Sequence, residues 1–343
     1  MQLLTVHPEF PEPELIHVAA EALRAGRLVA FPTETVYGLG ANALDAQAVA
    51  GIFEAKGRPA NDPLIVHLAE AGWLNRAAAM IPDIAWQLAG AFWPGPLTLV
   101  LPKRSEIPGL VTSGKESVAV RVPAHPVAQA LIRAADVLVA APSANRFGHT
   151  SPTRAAHVLA DLQGRIDILV DGGETNIGIE STVLDLTGDF PLILRPGGVT
   201  REMLSAELGW EVAVRGAAAT EGAQSSPGLL LQHYSPRAEL IYLVGLPPAE
   251  ALAELRRLAE QAIADGRRVG ALLVEEDQPA FCGLPVAVES LGDGQDLWQA
   301  ARRLYAGMRA LDEQQVDLIL SRDLGEAGPG LALRDRLRRA SHR

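Results

Sequence analysis

Two hydrophobic rhythms alternate along this chain. Short apolar runs bounded by Pro, Gly, Asn or Asp read as buried strands, and stretches with apolar residues three and four apart read as helices. Over the first part, strands are expected at 3–6 (an edge strand), 28–31, 63–68, 97–101, 117–123, 137–140, 167–170, 182–186 and 191–195. Helices are expected from Pro11, Pro13 and Glu14 to Ala25, then over 45–55, 82–92, 125–134, 153–162 and 200–208. Asp45 suits an N-cap, Ser151-Pro152-Thr153 caps another helix, and Gly26 follows a helix end. The mixture predicts an α/β or α+β domain covering 1–212. Residues 215–227 carry no large apolar side chain, a linker composition. Residues 228–236, Gly-Leu-Leu-Leu-Gln-His-Tyr-Ser-Pro, are too apolar for a free tether, so 213–236 reads as linker plus docking lid. Over 237–343 the alternation is cleaner: strands at 239–244, 269–274, 286–289 and 316–321, helices at 249–265, 295–312 and 329–340. That is a small Rossmann-like layered domain.

Composition narrows the class. The 343 residues are 48% hydrophobic, enough for buried cores in two domains. The single cysteine, Cys282, excludes an internal disulfide and a cysteine-based metal centre, and favours a reducing, cytoplasmic setting. The start has neither a basic region nor a long apolar stretch, so no signal peptide is expected, and no run approaches a membrane span. Net charge is −11, and residues 1–212 hold 15 Lys and Arg against 23 Asp and Glu. A general nucleic-acid surface would be basic.

Candidate chemistry sits where strands end. After the run 28–31 comes Pro-Thr-Glu-Thr-Val-Tyr-Gly-Leu-Gly, three hydroxyls and a carboxylate followed by Gly38 and Gly40, read as positions where backbone bends or approaches a ligand. Lys56 and Arg58 follow a helix and suit phosphate oxygens. Arg121, flanked by Val120 and Val122, ends one strand; Ser143 and Asn145 follow another; Arg195 ends a third. Each has a plainer structural reading: a charge complementing a helix end for Lys56, a cap hydroxyl for Ser143, ion pairs for the arginines, a satisfied core histidine for His67. Their shared placement at strand ends, where open α/β sheets bind ligands, argues for one site. There is no phosphate-loop motif and no His-Glu-x-x-His. Gly38, Gly40 and Ala43 fit a dinucleotide fingerprint, but six residues separate it from the strand it should follow directly.

The ordered motifs Thr33-Glu34-Thr35-Val36-Tyr37-Gly38-Leu39, Lys56-Gly57-Arg58-Pro59, Pro63-Leu64-Ile65-Val66-His67, Trp93-Pro94-Gly95-Pro96-Leu97-Thr98, Val120-Arg121-Val122-Pro123, Pro142-Ser143-Ala144-Asn145, Glu180-Ser181-Thr182-Val183 and Leu194-Arg195-Pro196-Gly197 strongly resemble the YrdC-type threonylcarbamoyl-AMP synthases. Lys56, Arg58, Ser143 and Asn145 meet that family's Lys-x-Arg…Ser-x-Asn signature. The resemblance spans about 10–210. Ser226-Pro227-Gly228 and His233-Tyr234-Ser235-Pro236 look like the longer, two-domain branch. It implies a YrdC-like twisted-sheet catalytic domain followed by the small α/β domain.

The resemblance also implies an activity. L-threonine and bicarbonate form a carbamate, which attacks the α-phosphate of ATP to give threonylcarbamoyl-AMP and pyrophosphate. The product serves a separate transferase that modifies tRNA. Thr35, His67, Arg121, Ala141 and Ser181 are then expected around threonine. Arg58, Asp62, Ser117, Ser143, Ser151 and Arg195 are expected around ATP, with Tyr234 reaching the nucleotide and Lys56 and Asn145 at the phosphates or metal. Mg²⁺ would travel with ATP, held mostly by phosphates and water. The sequence departs from the family at Asn61-Asp62, where Asp followed by Asn or His is common, at Phe147, where Ser is common, and at Leu229-Leu230-Leu231. The competing reading is a double-stranded RNA or tRNA-binding module without catalysis, which the acidic balance of 1–212 disfavours.

Overall fold

The apolar runs become the strands of two separate sheets. In a computed structural model, residues 1–216 and 234–342 are described; of the linker and lid expected over 213–236, residues 217–233, with His233 and the Leu229–Leu231 run, lie outside them. The chain divides into two units, Met1–Phe147 with Ser151–Leu230, and Gly148–Thr150 with Leu231–Arg343.

The first unit carries β1 (Gln2–Thr5), β2 (Val29–Phe31), β3 (Gly38–Asn42), β4 (Ile65–His67), β5 (Leu97–Pro102), β6 (Ser117–Arg121), β7 (Val139–Ala140), β8 (Ile168–Asp171), β9 (Thr182–Asp185), β10 (Leu192–Arg195) and β11 (Ala213–Val214). They form one mixed sheet in the order β1-β8-β2-β3-β7-β4-β6-β5-β9-β10-β11. Its helices are α1 (Pro13–Arg24), α2 (Ala46–Lys56), α3 (Leu74–Ala77), α4 (Asp83–Phe92), α5 (Pro126–Ala135), α6 (Ala155–Leu162) and α7 (Arg201–Leu208).

Register decides which face each side chain meets. Val66, Leu99, Val120, Leu184 and Ile193 point to one face, where they join a large core with residues of α2, α3, α4, α6 and α7. The next residue along each strand points the other way. On that second face, α1 and α5 cover Val29, Phe31, Val139 and Ile168. Further along the sheet the same face carries a cluster of strand residues only: Ile65, Val100, Ala119, Val183 and Leu194. His67, Thr98, Ser117 and Arg121 share it by register, because His67 pairs with Arg121 and Leu99 with Val120.

Three features differ from the sequence reading. Gly38 and Gly40 do not bend the chain. They lie inside β3, paired with Phe31 and Val29. A Cβ on Gly40 would come within 2.7 Å of Phe31 Cε1 and 2.9 Å of Val139 Cγ1, so packing requires the glycine. The dinucleotide fingerprint therefore falls within a strand, where no phosphate turn can form. Second, Ala213–Val214 pairs with β10 as the last strand of the sheet, although the linker was expected to begin at 213. Third, a short 3-10 turn and α3 cover 71–77, a stretch too brief for helical periodicity to register.

In the second unit, β12 (Glu239–Leu243), β13 (Val269–Val274), β14 (Val286–Gly292) and β15 (Leu318–Arg322) form an all-parallel sheet in the order β12-β15-β13-β14. The helices α8 (Pro248–Ala264), α9 (Leu297–Glu313) and α10 (Gly330–Ser341) complete it. A parallel sheet needs such crossovers; the central strand β13 is buried at all six residues, whereas the edge strands β12 and β14 are mostly half-buried. Gly148–Thr150 cluster with this unit; Ser235 N donates to Gly148 O at 2.8 Å.

Candidate active site

His67, Thr98, Arg121, Ser181 and Arg195 gather on the second sheet face, beside the cluster of strand residues Ile65, Val100, Ala119, Val183 and Leu194. Arg121, closing β6, is 2% exposed. Its Nη1 donates to Thr35 Oγ1 (3.1 Å) and its Nη2 lies 3.3 Å from Glu34 Oε2. Glu34 Oε2 also accepts from Ala124 N at 3.0 Å. Glu34 and Thr35 reach Arg121 because β2 and β3 are joined by the loop Pro32–Tyr37, braced by Thr33 Oγ1 donating to Val36 O (2.6 Å) and lying 2.7 Å from Thr35 Oγ1. A second loop holds it from outside: Ile177 N donates to Glu34 O and Gly178 N to Thr35 O. Burial lowers the Arg121 pKa, Glu34 raises it in part, and Arg195 lowers it again, so the two arginines share one electrostatic environment.

His67 ends β4 beside Arg121. Its ring meets Phe31 edge-on at 6.3 Å, and Nδ1 is 3.3 Å from Ile65 O. Burial, reinforced by the Arg121 charge, pushes its pKa down to about 3, so the imidazole is neutral near pH 7. Ala141, just past β7, donates its N–H to Ile65 O at 2.9 Å, which ties it to the same strand.

Arg195 reaches the site through a bulge. Leu192 pairs with Asp185 and Ile193 with Leu184, but Arg195 pairs with Val183. The extra residue turns Arg195 onto the face of Val183; unbroken register would set it opposite Thr182. There its Nη2 donates to Ser181 O (2.9 Å) and Ser181 Oγ (3.3 Å). Ser181 Oγ is 2.8 Å from Thr98 Oγ1. Ser151 Oγ donates to Glu180 Oε1 at 2.6 Å.

Lys56 ends α2, a helix capped by Asp45 Oδ1 on Gln47 N (2.9 Å) and Ala48 N (3.1 Å) and closed by Gly57 at φ 65°. The side chain is buried, not solvated at a helix end: Nζ donates to Ser143 O and Asn145 O, each at 2.5 Å. Burial and then the nearby Arg58 charge hold its pKa well below the usual lysine range. Lys56 thereby shapes the turn that presents the half-buried Ser143. Arg58 Nη2 pairs with Asp62 Oδ2 at 2.9 Å and donates to Pro63 O at 2.8 Å. Asp62, fully buried, acts on Arg58.

Ser117 opens β6, four residues and about 13 Å of strand from Arg121. Tyr234 belongs to the second unit, buried with its ring 5.7 Å from Tyr305 and beneath the Arg336 guanidinium. The structure adds Glu34, Thr98 and Glu180 as buried partners of Arg121, Ser181 and Ser151. Glu34 had a usable signal, being the one charged residue between Arg27 and Asp45. Among the described residues no group of three or more His, Cys, Asp or Glu could hold a metal ion.

Two family models divide the chain. One, for Sua5, YciO and YrdC and described as telomere recombination, matches residues 21–197; the other, described as threonylcarbamoyl-AMP synthase C-terminal domain, matches 199–342. The threonylcarbamoyl-AMP synthase of Pyrococcus abyssi is 46% identical over 332 residues, 95% of this chain and 94% of that protein. That of Bacillus subtilis is 44% identical over 331 residues, 96% and 93% of the two chains. The crystal structure of P. abyssi Sua5 complexed with L-threonine superposes with a TM-score of 0.93 at 43% identity, covering 99% of this chain and 98% of that one. With both models matched in order and relatives aligned along nearly their whole length, this chain belongs to the two-domain threonylcarbamoyl-AMP synthases.

Proposed function

We infer that this chain makes threonylcarbamoyl-AMP and pyrophosphate from L-threonine, bicarbonate and ATP, in the cytoplasm, for a transferase that passes the threonylcarbamoyl group to an adenosine of tRNA. The observation that carries the reading is the meeting of Arg121, His67, Thr35, Ser181 and Arg195, from five separate segments, at one sheet face.

Arg121 takes the carboxylate of threonine, and Thr35 and Glu34 fix the plane of its guanidinium. His67, neutral at working pH, adds a polar wall without a third positive charge beside Arg121 and Arg195. Ala141 and Ser181 complete the amino-acid side. The threonine amine and bicarbonate combine with loss of water to a carbamate. A carbamate oxygen then bonds to the α-phosphorus of ATP as the bond from that phosphorus to the bridging oxygen breaks, and pyrophosphate leaves with the electron pair. Such a displacement asks the protein for alignment and charge neutralisation, not for a nucleophile. Arg58, Ser143, Ser151 and Arg195 serve the nucleotide, Ser117 its far end, and Lys56 and Asn145 the phosphate turn. The nearby carboxylates each already serve a protein partner: Asp62 pairs with Arg58, Glu34 with Arg121 through Oε2, and Glu180 accepts from Ser151. That donor set fits a Mg²⁺ carried in on the triphosphate, with Asn145 supplying at most one neutral oxygen. When bound, the ion neutralises phosphate charge.

Pyrophosphate release measured with ATP and Mg²⁺ tests this. It is expected only when L-threonine and bicarbonate are both present. Release indifferent to threonine, or tRNA retention without release, would overturn the reading.

A further inference from the structure

Ser181 and Thr98 present two hydroxyl hydrogens to one O···O contact. Thr98, on β5, has no accessible surface, and among the described residues its hydroxyl meets only Ser181 Oγ, at 2.8 Å. Ser181 Oγ also lies 3.3 Å from Arg195 Nη2, and an arginine can only donate. If Ser181 donated to Thr98, the Thr98 hydrogen would be sealed in the sheet with no acceptor, at the full cost of a buried unmade hydrogen bond. The lower-energy arrangement runs the other way: Thr98 donates, Ser181 accepts from both Thr98 and Arg195, and the Ser181 hydrogen is left over. Donors in such a chain polarise one another, which strengthens the last one.

We propose that Thr98 is a positioning residue that makes Ser181 a committed hydrogen-bond donor toward the side-chain hydroxyl of the amino-acid substrate, and so sets the preference for threonine over its isostere valine. Geometry places the pair suitably. The β5–β6 ladder is paired up to Leu99 and Val120, and the next residue on each strand is Thr98 and Arg121, so the two share a sheet face on neighbouring strands about 5 Å apart; a carboxylate on Arg121 then leaves the side chain of the same small molecule near Thr98 and Ser181. A site built around a committed donor rejects a ligand lacking the acceptor more strongly than shape alone can. This rests on the reading that threonine binds at Arg121.

The test compares Thr98→Val, which keeps volume and removes the donor, with Thr98→Ser, which restores it. The KM for L-threonine, the inhibition constant of L-valine and the KM for ATP are measured on each full-length protein by pyrophosphate release. Thr98→Val is expected to raise the threonine KM roughly three- to tenfold, the worth of one neutral hydrogen bond, while valine binding and the ATP KM stay put. Thr98→Ser recovers the preference, and Ser181→Ala loses it too, which keeps the proposal testable should Thr98→Val not fold. Threonine and valine weakening together, an equal change in the ATP KM, or an unchanged preference in Ser181→Ala would each overturn it. Wild-type protein without threonine-dependent release would instead overturn the functional reading beneath.

Discussion

At the scale of single residues, this site is built from charged and titratable groups held where water is scarce. His67 has the clearest consequence. Its folded-state pKa is about 3 against an ordinary 6.5, because burial and Arg121 both oppose its protonation. Between those values the unfolded chain takes up a proton that the folded chain refuses. Stability therefore rises with pH across that window and falls on acidification, by up to about 1.4 kcal/mol per pH unit. His125, lowered to about 4 by burial, acts in the same direction. Urea unfolding followed by tryptophan fluorescence, with Trp73, Trp86, Trp93 and Trp210 reporting on the first unit, is expected to lose stability steadily from pH 6.5 to 4.5. His67→Gln should flatten part of that slope. The sequence singled out Arg121, His67 and Arg195, named Thr35 and Ser181 with them, and marked Glu34 as a lone carboxylate among hydroxyls. That Glu34 pairs with Arg121, and that Thr98 and Glu180 meet Ser181 and Ser151, is decided by the fold, since nothing local distinguishes a pairing carboxylate from a solvated one.

At the scale of elements, apolar patterning identified most strands and helices, and its failure at β3 is instructive. Gly-Leu-Gly-Ala-Asn has two glycines in five residues, low strand propensity and the look of a turn. It is a central strand because its neighbours demand thinness: Phe31 and Val139 occupy the space a Cβ on Gly40 would need. Gly40→Ala is accordingly expected to cost about 1–3 kcal/mol, the range for overpacking a core. Gly90, inside α4 with nothing within 4 Å of its missing Cβ, is the contrasting case. Gly90→Ala should stabilise by about 1 kcal/mol from helix propensity alone. Thermal or urea denaturation of both variants against wild type reads the opposite signs. The bulge in β10 belongs to this scale as well. One residue out of register delivers Arg195 to the face that carries Ser181, and a run reading Leu-Ile-Leu-Arg gives no hint of it.

At the scale of the whole molecule, charge argues against a general nucleic-acid role. Acidic residues number 41 against 30 Lys and Arg, and the first unit carries most of the excess. Binding through phosphates would release counterions and weaken steeply with salt. Bulk tRNA is therefore expected to show negligible retention by this protein in filter binding at about 0.15 M salt. Tight, salt-sensitive retention would revive the RNA-binding alternative. No helix among the described residues is long and apolar enough to cross a membrane. The second unit adds an all-parallel sheet of its own, as its cleaner alternation predicted.

The sequence by itself determined the alternation of strands and helices, the change of pattern after the first 210 or so residues, and the motifs that carry the family resemblance. Each of these is written in neighbouring residues. Only the tertiary structure decided that β4, β5, β6 and β9 lie side by side, that Arg121 faces away from the main core, and that a bulge turns Arg195 to join it. Register and strand order are set by which faces can be buried together, a property of the assembled sheet that no single segment contains.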